Sequence, residues 1–107
     1  MKSIKNKTIT FLTDVFIPKE GFVQKPLEKK YSEIIFDHCK TPNNPEKGFS
    51  YEEIKQITRI ETVCDKTKES LEVEDADLDF IKNKIKKANW GFYDKNIIDF
   101  VEYIINL

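Results

Sequence analysis

The most suggestive chemistry in this 107-residue chain lies in three alternating aspartates, Asp75-Ala76-Asp77-Leu78-Asp79. D-x-D-x-D supplies ligands 1, 3 and 5 of a calcium-binding EF-hand loop, where carboxylate oxygens meet a hard cation. The rest of the loop is wrong for that use. Position 6 needs glycine for its sharp turn and is Phe80; position 12 needs a bidentate glutamate and is Lys86. Acids gathered at a helix start explain all three aspartates through the macrodipole, and that reading is preferred. His38 and Cys39 are adjacent, with Cys64 far along the chain. Zinc needs four protein ligands, or three in a catalytic site, at local spacings such as C-x-x-C, which these residues do not supply. Neighbours on a helix point about 100° apart, so His38 is badly placed to activate Cys39.

Other catalytic patterns are missing. No pair stands out among the nineteen acids for general acid–base work. Gly21, Gly48 and Gly91 are too scattered to cradle a phosphate, and there is no G-x-S-x-G or dinucleotide fingerprint. The expectation is a protein that is not an enzyme, with no catalytic residue, cofactor or metal ligand.

Two binding constellations remain. Lys82, Lys84, Lys86 and Lys87 precede Trp90, Phe92 and Tyr93, a run of cations followed by aromatics that could meet nucleic acid. Six acids lie just upstream, at Glu69, Glu72, Glu74, Asp75, Asp77 and Asp79, and the chain carries 18 basic against 19 acidic residues, net −1. Nucleic-acid binding is therefore disfavoured and kept as an alternative. Trp90, Phe92, Tyr93 and Tyr103 are the candidate contacts for a protein partner, because exposed aromatics make strong anchors; the competing reading places them in the core.

The elements that must position these residues follow from patterning. Thr8 to Ile17 is rich in β-branched and aromatic residues and reads as a strand, ended by Pro18 and Gly21. Pro26 suits the first turn of a helix that Leu27, Tyr31, Ile34, Ile35 and His38 would carry to about residue 40. The stretch 41–48 is a loop. Ser50 and Glu53 then form a capping box for a helix over about 50–67, and Leu71 and Val73 alternate with acids as a short extended segment. A helix over about 75–89 has acids at its start and lysines at its end, and Asp94 caps a final amphipathic helix over about 94–106.

This pattern predicts a mainly α fold, with α+β as the alternative: about four helices and an N-terminal β-like segment whose candidate partner is 71–73. The chain is 39% hydrophobic and 35% charged, which fits one domain, with 1–47 giving a strand plus a helix and 48–107 a three-helix unit. No apolar run reaches the roughly 20 residues of a membrane span. The basic start lacks a cleavage-site pattern, and two cysteines without a staple role suit a reducing cytoplasm. Charge is uneven: residues 1–47 carry net +3 and residues 48–107 net −4.

The runs Gly48-Phe49-Ser50-Tyr51-Glu52-Glu53-Ile54 and Leu71-Glu72-Val73-Glu74-Asp75-Ala76-Asp77, with Phe80-Ile81-Lys82, Trp90, Ile97 and Phe100, make the C-terminal half similar to small uncharacterised proteins of bacteriophages and prophages. The resemblance implies a mobile-element setting, a bacterial host cytoplasm and a host or virion protein as partner. The function expected is a small non-enzymatic protein-interaction module. The alternatives are a nucleic-acid-associated regulator using Lys82–Lys87 and a structural virion component. Self-association is left open.

Overall fold

A computed structural model describes residues 1–90 and 94–107. Chain order is β1 (Lys2–Lys5), β2 (Thr8–Ile17), β3 (Gly21–Lys30), α1 (Tyr31–Cys39), α2 (Tyr51–Val63), β4 (Ser70–Val73), α3 (Asp75–Lys87) and α4 (Lys95–Ile105). The fold is α+β, with 44% of the described residues helical and 27% in strands, so the expectation of a mainly α domain is corrected. The difference arises in residues 21–30. Pro26 does not open a helix there. It sits in β3 opposite Leu12, a place open to proline because a hairpin strand has an outer edge where no N–H need be donated. The first helix begins five residues later, at Tyr31.

The strand partners differ from the expected ones as well. β4 pairs antiparallel with β1, Ile4 opposite Leu71 and Lys2 opposite Val73, whereas β2 pairs only with β3. β1 has one apolar side chain, Ile4, and it is fully buried. The alternation in β4 is confirmed, with Leu71 and Val73 inward and Ser70 and Glu72 outward.

Burial follows the helical stripes. One apolar cluster joins Ile4, Tyr31, Ile34, Ile35 and Cys39 to Ile60, Leu71, Val73, Leu78, Ile81, Ile85, Phe100 and Ile104, drawing on both halves of the chain. Phe100 is the largest of its fully buried side chains among the described residues, with Tyr31 edge-on at 4.7 Å. The expected starts of α2 and α4 hold. Ser50 Oγ accepts from the Glu53 N–H while the Ser50 N–H donates to Glu53 Oε1, both at 3.2 Å, and Asp94 accepts from the Asn96 N–H at 2.8 Å. Gly48 precedes α2 at φ +65°, a left-handed conformation costly for residues with a Cβ.

Asn6, between β1 and β2, ties three segments together. Its Oδ1 accepts from the Ser32 N–H at 2.9 Å, and its Nδ2 donates to Asp65 O at 3.3 Å and Lys68 O at 2.8 Å. The Ser32 N–H belongs to the first turn of α1, where helical geometry provides no acceptor. Asn6→Ala is expected to cost about 2 kcal/mol, from lost bonds and a stranded donor. Asn6→Asp keeps the acceptor but sets a carboxylate against two carbonyl oxygens, and should cost at least as much. Urea denaturation of both variants measures this, and an Asn6→Asp protein as stable as the parent would show that the Nδ2 donors contribute nothing.

Candidate functional site

Two features of the surface stand out, an arm and a cleft. The arm is the β2–β3 hairpin, ten residues in each strand. Its turn is closed by the Glu20 N–H donating to Ile17 O at 3.0 Å, with Pro18 presetting φ and Gly21 at φ +78°. The stem rests on the body: Phe11 is buried, Ile9 packs against the core, and Asn96 Nδ2 of α4 donates to Thr10 O at 2.7 Å. Beyond Phe11 the arm projects. The radius of gyration is 15.0 Å, against about 13 Å for a compact chain of this length.

One face of the projecting part carries exposed apolar side chains on either side of Asp14 and Gln24. Leu12, Phe16 and Phe22 share that face and are 50%, 60% and 76% exposed, and the two phenyl rings meet edge-on at 5.4 Å. The outer edges of the two strands differ. β3 carries Lys25, Pro26, Glu28, Lys29 and Lys30, residues that discourage pairing, whereas Asp14 is the single charge in β2. Among the described residues no third strand lies beside β2.

The cleft, about 570 Å³, lies between the C-terminal ends of α1 and α3 and the loop after α1; Asp37, His38, Thr41, Asn43, Lys84 and Lys87 are among its walls. Lys84 is only 5% exposed. Its Nζ donates to Thr41 O at 2.7 Å and Asn43 Oδ1 at 3.2 Å and lies over the Phe49 and Phe80 rings at 5.3 and 5.6 Å. Burial lowers its pKa, against a distant raising influence of Glu53. Asp37 Oδ2 accepts from Lys29 Nζ at 2.8 Å, and its Oδ1 lies 3.4 Å from Lys40 Nζ. Burial by itself would raise the Asp37 pKa, but the bonds and charges of Lys29 and Lys40 outweigh it and hold the carboxyl below its ordinary value.

His38 Nδ1 lies 2.9 Å from Ile34 O, a carbonyl that can only accept, so Nδ1 carries a proton. The imidazole stands 4.4 Å from the half-buried indole of Trp90, centroid to centroid. Across this pair a smaller recess of about 240 Å³ adjoins the cleft, sharing Asp37, His38 and Asn89 with it and lined by Phe11, Ile34, Trp90 and Ile97.

The residues singled out from sequence are dispersed. Tyr103 is half-buried beside Tyr31, and its hydroxyl accepts from the Lys5 N–H at 2.8 Å, so it braces α4 against β1. Trp90 lines the recess, and Phe92 and Tyr93 lie outside the described residues. Lys82 donates to Leu107 O at 2.8 Å, Lys84 is buried, Lys86 is exposed and Lys87 borders the cleft. The four lysines therefore do not form one cationic face. The three aspartates diverge too: Asp77 pairs with Arg59 at 3.1 Å, Asp75 lies 3.6 Å from the N-terminal ammonium, and Asp79 is exposed. Among the described residues no three His, Cys, Asp or Glu side chains gather as a metal site. Leu12, Phe16 and Phe22 were not anticipated. The sequence signal was partial: the turn residues Pro18-Lys19-Glu20-Gly21 follow a β-branched, partly alternating segment, but residues 22–30 do not alternate.

Compared with known proteins, the chain matches no family model, no curated protein and no solved structure. No helix among the described residues is long and apolar enough to cross a membrane.

Two outcomes follow from the titrating groups. Cys39 and Cys64 are free, and burial pushes both thiols up to about 12, with the charge of Cys64 adding to the effect on Cys39. Both should resist a thiol-specific reagent at pH 8 until the chain unfolds. The unfolded chain releases these protons near pH 9 and the folded chain only near 12, so stability should fall across that interval, as melting against pH will report. For Asp37 the sign is opposite. Its lowered pKa stabilises the fold above the ordinary value of 3.8, and that contribution disappears as pH falls through the lower native value. Asp37→Asn should therefore melt earlier at neutral pH and lose less stability on acidification than the parent.

Proposed function

We propose that this chain is a non-enzymatic protein-interaction module whose ligand is an extended, apolar segment of a partner protein, added as a third strand along β2. The observation that carries the reading is the arm: a ten-residue strand with one charge, beside which no third strand lies among the described residues, and whose Leu12 and Phe16 stand exposed next to Phe22. A two-stranded ribbon gains stability from a third strand, and strand addition joins main-chain hydrogen bonds to pockets for alternate side chains. A strand added beside Leu12 and Phe16, which are 50% and 60% exposed, would gain at most about half of the 1.5–3 kcal/mol that full burial of such a side chain contributes, before the costs of association. This moves the contact surface from Trp90 and Tyr103 to the arm. The likeness to phage and prophage proteins supports a host or virion protein as partner, met in the bacterial cytoplasm. The nucleic-acid alternative has less support, because Lys82 and Lys84 are occupied by main-chain oxygens. Assembly into a virion would use the same arm with a different partner.

Peptides selected from a displayed library on the full-length chain provide the test, mapped by amide chemical shifts. Shifts centred on Leu12, Asp14 and Phe16, weakened at least about tenfold by Phe16→Ser with Phe22→Ser, are expected. That double variant should melt within a few degrees of the parent, since the two rings are exposed and pack chiefly on each other. Peptides that map elsewhere, or concentration-dependent shifts of the same amides without peptide, overturn the reading; the second outcome would make the occupant another copy of this chain.

A further inference from the structure

Among the described residues two charged side chains are buried, and they are treated differently. Asp77, 4% exposed, is met by the Arg59 guanidinium through two hydrogen bonds, at 3.1 and 3.3 Å. Lys84, equally buried, has two uncharged oxygens as acceptors and no carboxylate within ion-pair distance among the described residues. An ammonium has three N–H donors, and taking it out of water without a counter-ion is costly, an expense that the Phe49 and Phe80 rings offset only in part.

The space beside Lys84 is not packed shut. It opens into the 570 Å³ cleft, where Lys87 provides a second cation and His38, its Nδ1 committed to Ile34 O, keeps Nε2 for another partner. The one carboxylate in the walls, Asp37, is already held by Lys29 and Lys40. In the walls lysines thus outnumber carboxylates, in a chain of net charge −1. The adjoining recess is mostly apolar and is bounded by an indole and a phenyl ring, Trp90 and Phe11.

We infer that this cleft binds a phosphomonoester bearing a flat aromatic group, the phosphate on Lys84 and Lys87 and the ring in the recess beside Trp90. A phosphate oxygen would take the remaining Lys84 donor in a charge-assisted bond, and the aromatic group would displace water from apolar walls. A nucleoside monophosphate has this chemistry, as would the free phosphate for the polar half alone, and the two are separable by experiment.

Trp90 is the single tryptophan of the chain and reports on the recess directly. The full-length protein is titrated with AMP, inorganic phosphate and adenosine, each up to about 10 mM, with Trp90 emission and calorimetry as readouts. AMP is expected to bind saturably and at least about tenfold more tightly than either fragment. Lys87→Gln, an exposed substitution, should weaken AMP roughly tenfold while leaving adenosine unchanged, and Lys86→Gln, outside the cleft, should change neither. Lys84→Met should abolish the phosphate contribution; if that variant does not fold, the Lys87→Gln and Lys86→Gln comparison still decides. Absence of saturable AMP binding overturns the assignment. So does equal affinity for AMP and either fragment, or equal weakening by Lys87→Gln and Lys86→Gln, which would indicate diffuse charge instead of a site.

Discussion

The fold depends on closing a long loop through a very short strand. β1 is four residues with one apolar side chain, yet it must reach across the chain to pair with β4. So short a ribbon is not stable by itself, and the entropy of joining segments so far apart has to be recovered elsewhere. Three features recover it. Ile4 is wholly buried between the two halves of the core, Tyr103 accepts from the Lys5 N–H, and Asn6 fastens the next residues to the start of α1 and the turn before β4. Once Asn6 is fixed, the Tyr31 N–H reaches Lys7 O at 2.9 Å, and the direction in which β2 leaves the body is set. The arm and the cleft inherit their positions from this knot.

Electrostatics are organised locally more than globally. The modest excess of acids in the second half is spent largely at helix starts and on single partners, as with Asp77 and Arg59. The positive charge from both halves converges instead: Lys29 and Lys40 reach Asp37 from one side of the cleft, and Lys84 and Lys87 border it from the other. Net charge near zero thus conceals a cationic depression, and only the tertiary fold brings its members together.

How much of this could be read from sequence depended on how local the deciding interaction was. The starts of α2 and α4 were legible because their caps are built within four residues, Ser50 with Glu53 and Asp94 with Asn96. Burial of Leu78, Ile81 and Ile85 was legible from helical spacing. The second strand of the arm was not, because Pro26 and the 3–4 spacing of Leu27, Tyr31 and Ile34 mimic a helix start, while the strand is specified by cross-strand partners such as Leu12 and Phe11. β1 was hidden for the same reason, being polar at every position but Ile4. Lys84 was read as one of four candidate lysines for nucleic acid. It lies one turn after Ile81, on the buried stripe, and the long stem that lets a lysine cover apolar surface also lets it pass for an exposed one.

The arm and the cleft share structure. Phe11 and Lys29 belong to the stem of the hairpin and also line the recess beside Trp90, and the Lys29 bond to Asp37 is a direct polar link between β3 and α1. The recess therefore exists only while the stem is seated on α1 and α4. A ligand that fills it contacts the seated arrangement and loses those contacts if the stem lifts, so its binding free energy must weight the seated state. By reciprocity, whatever engages β2 and holds the stem down must favour filling of the recess, and a partner that levers the arm away must oppose it. The two surfaces are separate in chemistry, one an apolar strand edge and the other a cationic depression, but one packed side chain, Phe11, and one ion pair make them mechanically a single unit.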